Sequence, residues 1–389
     1  MKYIVLLCDG MSDYKIPELG NQTVLQFADT SNFDFLAKEG RCGFIHTTPK
    51  GMYPGSDICN LSIFGYNPQE VYSGRSPLEA ASIGVEIGEN DYAFRCNIVK
   101  LSDDYQMMED FSAHHIDNNS ARKIIKALNE KFRDRDIEFY SGVGYRNLMV
   151  ARGKDFNLKT TPPHDIMGKE IDEFLPKGDG SKLILDIMQE AQEIIKSLEI
   201  ANANGIWLWG EGKKPKLKRY SDLYGVKGAV IAAVDLIKGI GIYAGLDIIK
   251  VPGATGFIDT NYKGKAEHAV NALESYDYVF VHIEAPDEAG HMGSVEEKIK
   301  AVENINNIVL PIFIEEMKKN RDIRILITPD HPTPISLRTH VAAAVPAIIV
   351  GSGVKSDKNE TYSEELIPSF DFIDGYKIAD YFLKSEVIH

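Results

Sequence analysis

Basic charge is in short supply: 43 lysines and arginines face 57 aspartates and glutamates, a formal net charge of −14. Such an acidic surface repels phosphate backbones and anionic lipid alike, so neither nucleic acid nor a membrane is an expected partner. Cysteine is scarce as well. Cys8, Cys42, Cys59 and Cys96 are scattered through the N-terminal quarter, without a CxxC pair or framework spacing, which points to reduced, buried thiols. Long apolar runs are missing: the opening MKYIVLLCDG is too short for a signal segment, and no later run reaches membrane-span length. A cytoplasmic protein is the expectation. There is no GxxxxGK[ST] phosphate loop, no internal repeat, no low-complexity segment and no Gly-Ser linker, so any domain motion is expected to use short hinges. An acidic chain that handles a small anionic substrate needs a local cationic site, made from metal ions or clustered Arg and Lys.

What is present begins with 389 residues, 44% of them hydrophobic, which is long for one domain. YIVLLCDG, YDYVFVHIEAPD and IRILITPDH each read as a strand-like apolar run that stops at an acidic residue. HAVNALESY and VEEKIKAVENINNIVLPIFIEEMKKN read as the helices before and between the two later strands. The expected fold class is α/β, an open, mostly parallel sheet with helices on both faces, in which ligands bind beyond the carboxyl ends of the strands. Asp9, Asp287 and Asp330 fall there. The middle of the chain has short alternating pieces, YAFRCNIVKL and IEFYSGVGYRNLMVA, and polar helices near Ala121–Lys131 and Ser181–Glu199. It reads as an inserted α+β domain over 72–204, with IWLWGEG returning to a core built from 1–71 and 205–389.

In YPGSDICNLSIFGYNP, Ser56 follows a Pro-Gly turn and precedes an apolar, helix-length run. It is either a helix N-cap or a hydroxyl exposed beside an anion-attracting helix start, and its own neighbours do not decide. EAPDEAGH, TPDHPTP and RTH add Asp287, His291, Asp330, His331 and His340. Carboxylates and imidazoles are ligands of Mn2+ and Zn2+, and two such ions about 3.5–4 Å apart can clamp the attacking and leaving oxygens of phosphoryl transfer. Singly, Asp9 can turn the chain, Asp287 can cap a helix and each histidine can fill a gap. Three acids at strand ends, two of them followed closely by histidine, point together to a metal site.

CDGMSD, YPGSDICNLSIFGY, YSGRSPLEAASIGV, AFRCNIV, GYRNLMV, TTPPHDIMG, VDLIKGIG, VPGATGFIDTNY, HIEAPDEAGH and TPDHPTP followed by RTH form a long ordered set. On these motifs the sequence resembles the archaeal-type, cofactor-independent phosphoglycerate mutases of the alkaline phosphatase superfamily, over essentially the whole chain. The resemblance implies an alkaline-phosphatase-like core and two divalent ions, one held by Asp287, His291 and His340, the other by Asp9, Asp330, His331 and the hydroxyl of Ser56. Mn2+ or Zn2+ suits these ligands best, Co2+ and Mg2+ remain candidates, and no bisphosphoglycerate is needed. Ser56 is then the nucleophile. Lys238 in DLIKGIG matches a lysine placed near the transferring phosphoryl group.

The inserted domain is expected to hold the glycerate part through Arg75, Arg95, Arg146, His164 and Asp165, while His115 or Asp165 shuttles a proton. Each of these can equally be a salt-bridge residue. One departure is SAHHI, where the family pattern has glycine at the position of His114. The implied reaction interconverts 3- and 2-phosphoglycerate through phosphoserine. The same core also serves phosphatases, other phosphomutases and phosphotransferases, including a proposed homoserine kinase role; a metal-stabilised binding module is the non-enzymatic alternative. A small phosphorylated metabolite is the expected partner, and the resemblance carries an expectation of self-association.

Overall fold

The computed structural model describes residues 1–388. The chain forms two compact units, Met1–Tyr72 with Leu217–His389, and Ser73–Lys216. In the first, Lys2–Cys8 is the centre of an eight-stranded sheet, flanked in parallel by Tyr278–Ile283 and Ile323–Thr328. Gly228–Ile231 and Asp247–Ile248 extend it in parallel on one side. On the other side Val345–Gly351 runs antiparallel to Ile323–Thr328 and to Arg41–Ile45, and Phe370–Phe372 closes the edge.

Period-two alternation explains how both faces are covered. Ile4, Leu6, Val279, Val281, Ile325 and Ile327 share one core with the helices Ser31–Glu39, Tyr262–Ala272 and Val295–Asn304. Residues of opposite parity pack elsewhere: Phe280 stacks on Phe64 with centroids 4.1 Å apart, Tyr278 meets Tyr220, and Tyr3 meets Phe382 of Lys377–Lys384. Phe64 ends the helix Ser56–Ile63, so its contact with Phe280 pins that helix to the sheet.

The long helical run expected after Met292 contains a π turn at Ile305–Val309 between Val295–Asn304 and Leu310–Lys319. Pro311 supplies no backbone N–H there, so the regular ladder must adjust. Asn306 in this turn accepts from the N–H groups of Asn32 and Phe33 at 2.9 and 3.3 Å.

The second unit is α+β. Tyr92–Leu101 pairs antiparallel with Met108–Asp110, Arg146–Ala151 and Gly205–Gly212, and Ile137–Val143 joins Arg146–Ala151. Asn118–Phe132 and Ser181–Ser197 bury Ile124, Leu128, Ile187 and Ile195 in the same core as Phe94, Cys96 and Ile98. The strand Gly205–Gly212 corrects the expected boundary. Its apolar residues read as core strand, but they pair with the inserted sheet, and the return to the first unit comes after Lys216. Among the described residues, no helix is long and apolar enough to cross a membrane.

Candidate active site

Ser56 is the first residue of its helix, and Gly55 holds the N-cap position without any side-chain cap. The capping role is therefore not the one its hydroxyl plays. Ser56 Oγ lies 3.2 Å from His331 Nε2 instead. A side chain on Gly55 would collide with the Tyr53 ring and with Asp57 Oδ1, which is why this turn needs glycine. Asp57 fixes the turn from below: its Oδ2 accepts from Tyr53 Oη at 2.5 Å and Tyr72 Oη at 2.6 Å, and its Oδ1 from the N–H of Ile58.

Asp9, Asp287 and Asp330 lie just beyond three adjacent strand ends, as the sequence pattern requires. Asp9 follows Lys2–Cys8, and Gly10 turns the chain with φ 62°. A Cβ on Gly10 would sit 2.5 Å from Asp287 Oδ1, so only glycine lets these segments approach. Asp287 and His291 stand one turn apart on the helix Ala285–Met292 and thus share a face. Asp287 Oδ2 is 3.3 Å from His291 Nε2, Asp287 Oδ1 is 3.4 Å from His340 Nε2, and the two imidazole nitrogens are 2.9 Å apart. His291 Nδ1 bonds to the Arg338 carbonyl at 3.0 Å, which fixes the ring.

A second group, Asp9, Asp287 and His331, also has ligand atoms within 4.8 Å of one another. Asp330 adjoins it, with Oδ2 3.4 Å from His331 Nε2. Asp330 Oδ1 accepts from the N–H groups of Gly10 and His331, and Oδ2 accepts from Asn60 Nδ2 at 2.8 Å. Asp287 therefore reaches Asp9 and His331 as well, with Asp330 in contact with His331 beside them.

Electrostatics test whether these residues suit divalent ions. Burial, then the charges of Asp330, Asp287 and Glu284, pushes the Asp9 carboxyl well above its usual range. Burial would also raise Asp287, but hydrogen bonds from His291 and His340 and the neighbouring His331 hold it well below. The bond to Asp287 raises His291 to about 9, whereas burial lowers His331. Asp9 Oδ1 is buried with no hydrogen-bond partner among the described residues. Orphaned carboxylate oxygen, crowded acids and converging imidazole nitrogens are what divalent cations satisfy, so the residues fit.

Lys238 lies on Asp235–Tyr243, with its ammonium 3.2 Å from Asp235 Oδ1. It is near enough to the buried Lys265 to help lower that amine, which burial takes down to about 8 against the opposing charge of Glu284.

In the second unit, Arg75 Nε and Arg95 Nε bind the two oxygens of Glu79 at 2.7 and 3.0 Å. Strand register sets Arg95 opposite Trp209 and Asn97 opposite Arg146. Arg95 lies 4.4 Å over the Trp209 ring and is only 8% exposed, and burial lowers it to about 10. His164 stacks edge-on to the same ring at 5.5 Å and lies 3.7 Å from Asp165; burial lowers it, with Arg95 and Arg75 adding to the effect. Arg146 is exposed above Tyr145, and His115 faces the same tyrosine at 6.4 Å. His115 ends a run of three left-handed residues, Ala113, His114 and His115, with φ of 50°, 52° and 55°. The glycine expected at 114 would meet that conformation without strain; His114 instead holds it with a 3.4 Å contact to Asp110.

Sequence reasoning missed Asn60, Asp57, Thr333, which donates to Asp287, and His282, 3.0 Å from Asp9. Asn60 and Asp57 stand within four residues of Ser56, in polar positions of an otherwise apolar helix, and that was the available signal.

A buried carboxylate–imidazole centre at the carboxyl edge of a mostly parallel sheet defines the class: an α/β enzyme whose site suits divalent ions. A family model described as 2,3-bisphosphoglycerate-independent phosphoglycerate mutase matches residues 37–201. A relative of that name, numbered 2, from Methanothermobacter thermautotrophicus is 47% identical across 94% of this chain and 92% of its own. A probable enzyme of that name from Geobacter sulfurreducens is 47% identical across 98% of this chain and 100% of its own. The chain belongs to the family of 2,3-bisphosphoglycerate-independent phosphoglycerate mutases. Among solved structures, a Pyrococcus horikoshii protein superposes with a TM-score of 0.81 at 27% identity, covering 100% of this chain and 99% of that one. A cofactor-independent phosphoglycerate mutase from Thermoplasma acidophilum, 24% identical with a TM-score of 0.69 over 99% of this chain and 100% of that one, shares the fold.

Proposed function

We propose that the protein interconverts 3-phosphoglycerate and 2-phosphoglycerate through a phosphoserine at Ser56, with no bisphosphoglycerate cofactor. The carrying observation is the uncapped Ser56 hydroxyl, 3.2 Å from His331 Nε2 and beside the acids that fit divalent ions. Asp287, His291 and His340 would hold one ion, and Asp9, Asp330, His331 and the Ser56 hydroxyl the other, Mn2+ or Zn2+ being the better matches. When bound, the ions supply positive charge that acidifies the serine hydroxyl and offsets charge on the transferring phosphoryl group.

Ser56 Oγ, its proton already released as the hydroxyl is acidified, forms a bond to phosphorus as the bond from phosphorus to the 3-oxygen of glycerate breaks, and that oxygen takes up a proton. The 2-hydroxyl then gives up its proton and attacks phosphoserine, releasing Ser56. The net proton moves from the 2-oxygen to the 3-oxygen, and His115 or Asp165 carries it. Lys238 adds a cation near the phosphoryl group. Arg75, Arg95, Arg146 and His164 retain glycerate, for which guanidinium groups match the carboxylate bidentately. A cytoplasmic setting belongs to the same proposal, supported by four cysteines that are all buried, free thiols.

The test is an enolase-coupled assay on protein stripped and reloaded with Mn2+, given 3-phosphoglycerate without bisphosphoglycerate or nucleotide. Fast conversion that Ser56→Ala abolishes is expected. Substantial mutase activity in Ser56→Ala overturns the mechanism, and Ser56-dependent release of inorganic phosphate alone would make the protein a phosphatase.

A further inference from the structure

His282 lies in the middle of the site's architecture but outside every ligand group described above. It sits on the buried strand Tyr278–Ile283 with 0% exposure, and its Nε2 is 3.0 Å from Asp9 Oδ2. Among the described residues, neither the other oxygen of Asp9 nor His282 Nδ1 has a hydrogen-bond partner. The two oxygens of one carboxylate are thus split: Oδ2 faces the imidazole, while Oδ1 points to His331, whose Nε2 is 3.5 Å away.

The histidine is itself held. Lys265, 0% exposed, donates from Nζ to the His282 carbonyl at 3.0 Å and lies 3.5 Å from the Thr255 carbonyl. A buried ammonium is expensive to desolvate unless its protons are used. Here it anchors the backbone of the very residue that touches Asp9. Strand register adds a second constraint, since Leu7 pairs with His282 and Cys8 with Ile283, while the Asp9 N–H donates to the Ile283 carbonyl at 2.9 Å.

From this arrangement we propose that His282 is a positioning residue for Asp9: it occupies Oδ2 with an N–H from Nε2 and leaves Oδ1 as the single oxygen offered to the ion beside Ser56. A carboxylate free to swing would offer either oxygen or both, and the ordering would have to be supplied when the ion binds. Outer hydrogen bonds of this kind typically change metal affinity by about 10–100-fold. The inference rests on the assignment of Asp9 to a metal site under the proposed function, and the wild-type protein checks that assignment separately.

The experiment measures Mn2+ stoichiometry and affinity by calorimetry on the apo wild type, His282→Leu and His282→Gln. Leucine removes the donor at similar volume, and the glutamine amide can place an N–H near the position of Nε2. Wild type should take up two ions. His282→Leu should bind one ion normally, at Asp287, His291 and His340, and the other at least about tenfold more weakly. His282→Gln should recover most of that loss. The retained ion serves as the folding control. Two ions bound by His282→Leu with wild-type affinity would overturn the proposal, as would equal weakening of both sites or the absence of any rescue by glutamine. Fewer than two ions on the wild type would overturn the assignment of Asp9 instead.

Discussion

The two clusters that the sequence singled out are built in opposite ways. In the first unit every group is held by another: Asp330 by three donors, Asp9 by His282, Asp287 by two imidazoles and Thr333, and Asp9, Asp330 and His331 are at most 2% exposed. In the second unit only Glu79, Arg95 and Trp209 are locked together, while Arg146, His115, His164 and Asp165 are exposed. A site that must present fixed charges to small ions is preorganised by burial. Under the proposed function, a site that must grip and release an organic acid keeps most of its polar groups at the surface.

That contrast is broken most severely at Asp287, which belongs to both ligand groups. Asp287→Asn should remove the ion shared with His291 and His340, weaken the other, and lower turnover by at least about 10^3-fold, because charge stabilisation of the transition state is lost. Metal analysis beside the coupled assay checks this; two retained ions would show that the groups are assembled differently.

Arg95 comes next. Arg95→Met leaves half-buried Glu79 paired with Arg75 alone among the ion pairs described here and should destabilise the second unit by about 2–4 kcal/mol. Arg146→Met, at an exposed position, should leave stability within about 0.5 kcal/mol and raise KM instead. Denaturant unfolding paired with steady-state kinetics separates the two. Identical profiles for both variants would mean that the locked and exposed arginines do not differ in role.

One group from each cluster, His291 and Glu79, should answer pH in opposite directions in the metal-free protein. His291, raised to about 9 by its bond to Asp287, contributes stability that is fully present below its unfolded value near about 6.5 and is lost as pH rises through about 9. Glu79 is lowered, because Arg95 and Arg75 overcome the effect of burial. Its contribution is present above about 4.3 and is lost as pH falls through its lower folded value. Ions must displace the proton on His291, so apparent metal affinity should fall as pH drops below about 9. Isothermal titrations in buffers of different ionisation enthalpy would detect the released proton, and no release would contradict the ligand assignment.

The smallest effect is expected at His114. Its φ of 52° is strained for any residue but glycine, a penalty of about 1–2 kcal/mol. His114→Gly removes that strain but adds unfolded-state entropy and loses the Asp110 contact, so the net change should stay within about 1 kcal/mol. Thermal unfolding reads it directly, and a loss above about 2 kcal/mol would give the imidazole a structural role the geometry does not show.

Legibility in the sequence followed the same division. Asp9, Asp287 and Asp330 could be found because each follows an apolar strand within a few residues, and His291 because an i, i+4 pair must share one helix face. That Asp287 also reaches Asp9 and His331 was not legible, since it depends on the close approach of distant segments at Gly10. The strand Gly205–Gly212 was assigned to the wrong unit because a fully apolar run reads alike in either sheet; its pairing with Tyr92–Leu101 decides the matter. His282 was invisible for the related reason that an imidazole inside a buried strand looks like filler until its neighbour across the register is known.

The central claim is that the phosphoryl group passes through Ser56. Its most direct test is rapid quenching of the Mn2+-loaded enzyme during turnover of 3-phosphoglycerate, followed by peptide mass spectrometry. The account predicts a transient phosphate on the peptide containing Ser56, absent from Ser56→Ala. Continued conversion with no phosphate on Ser56 at any quench time would contradict it.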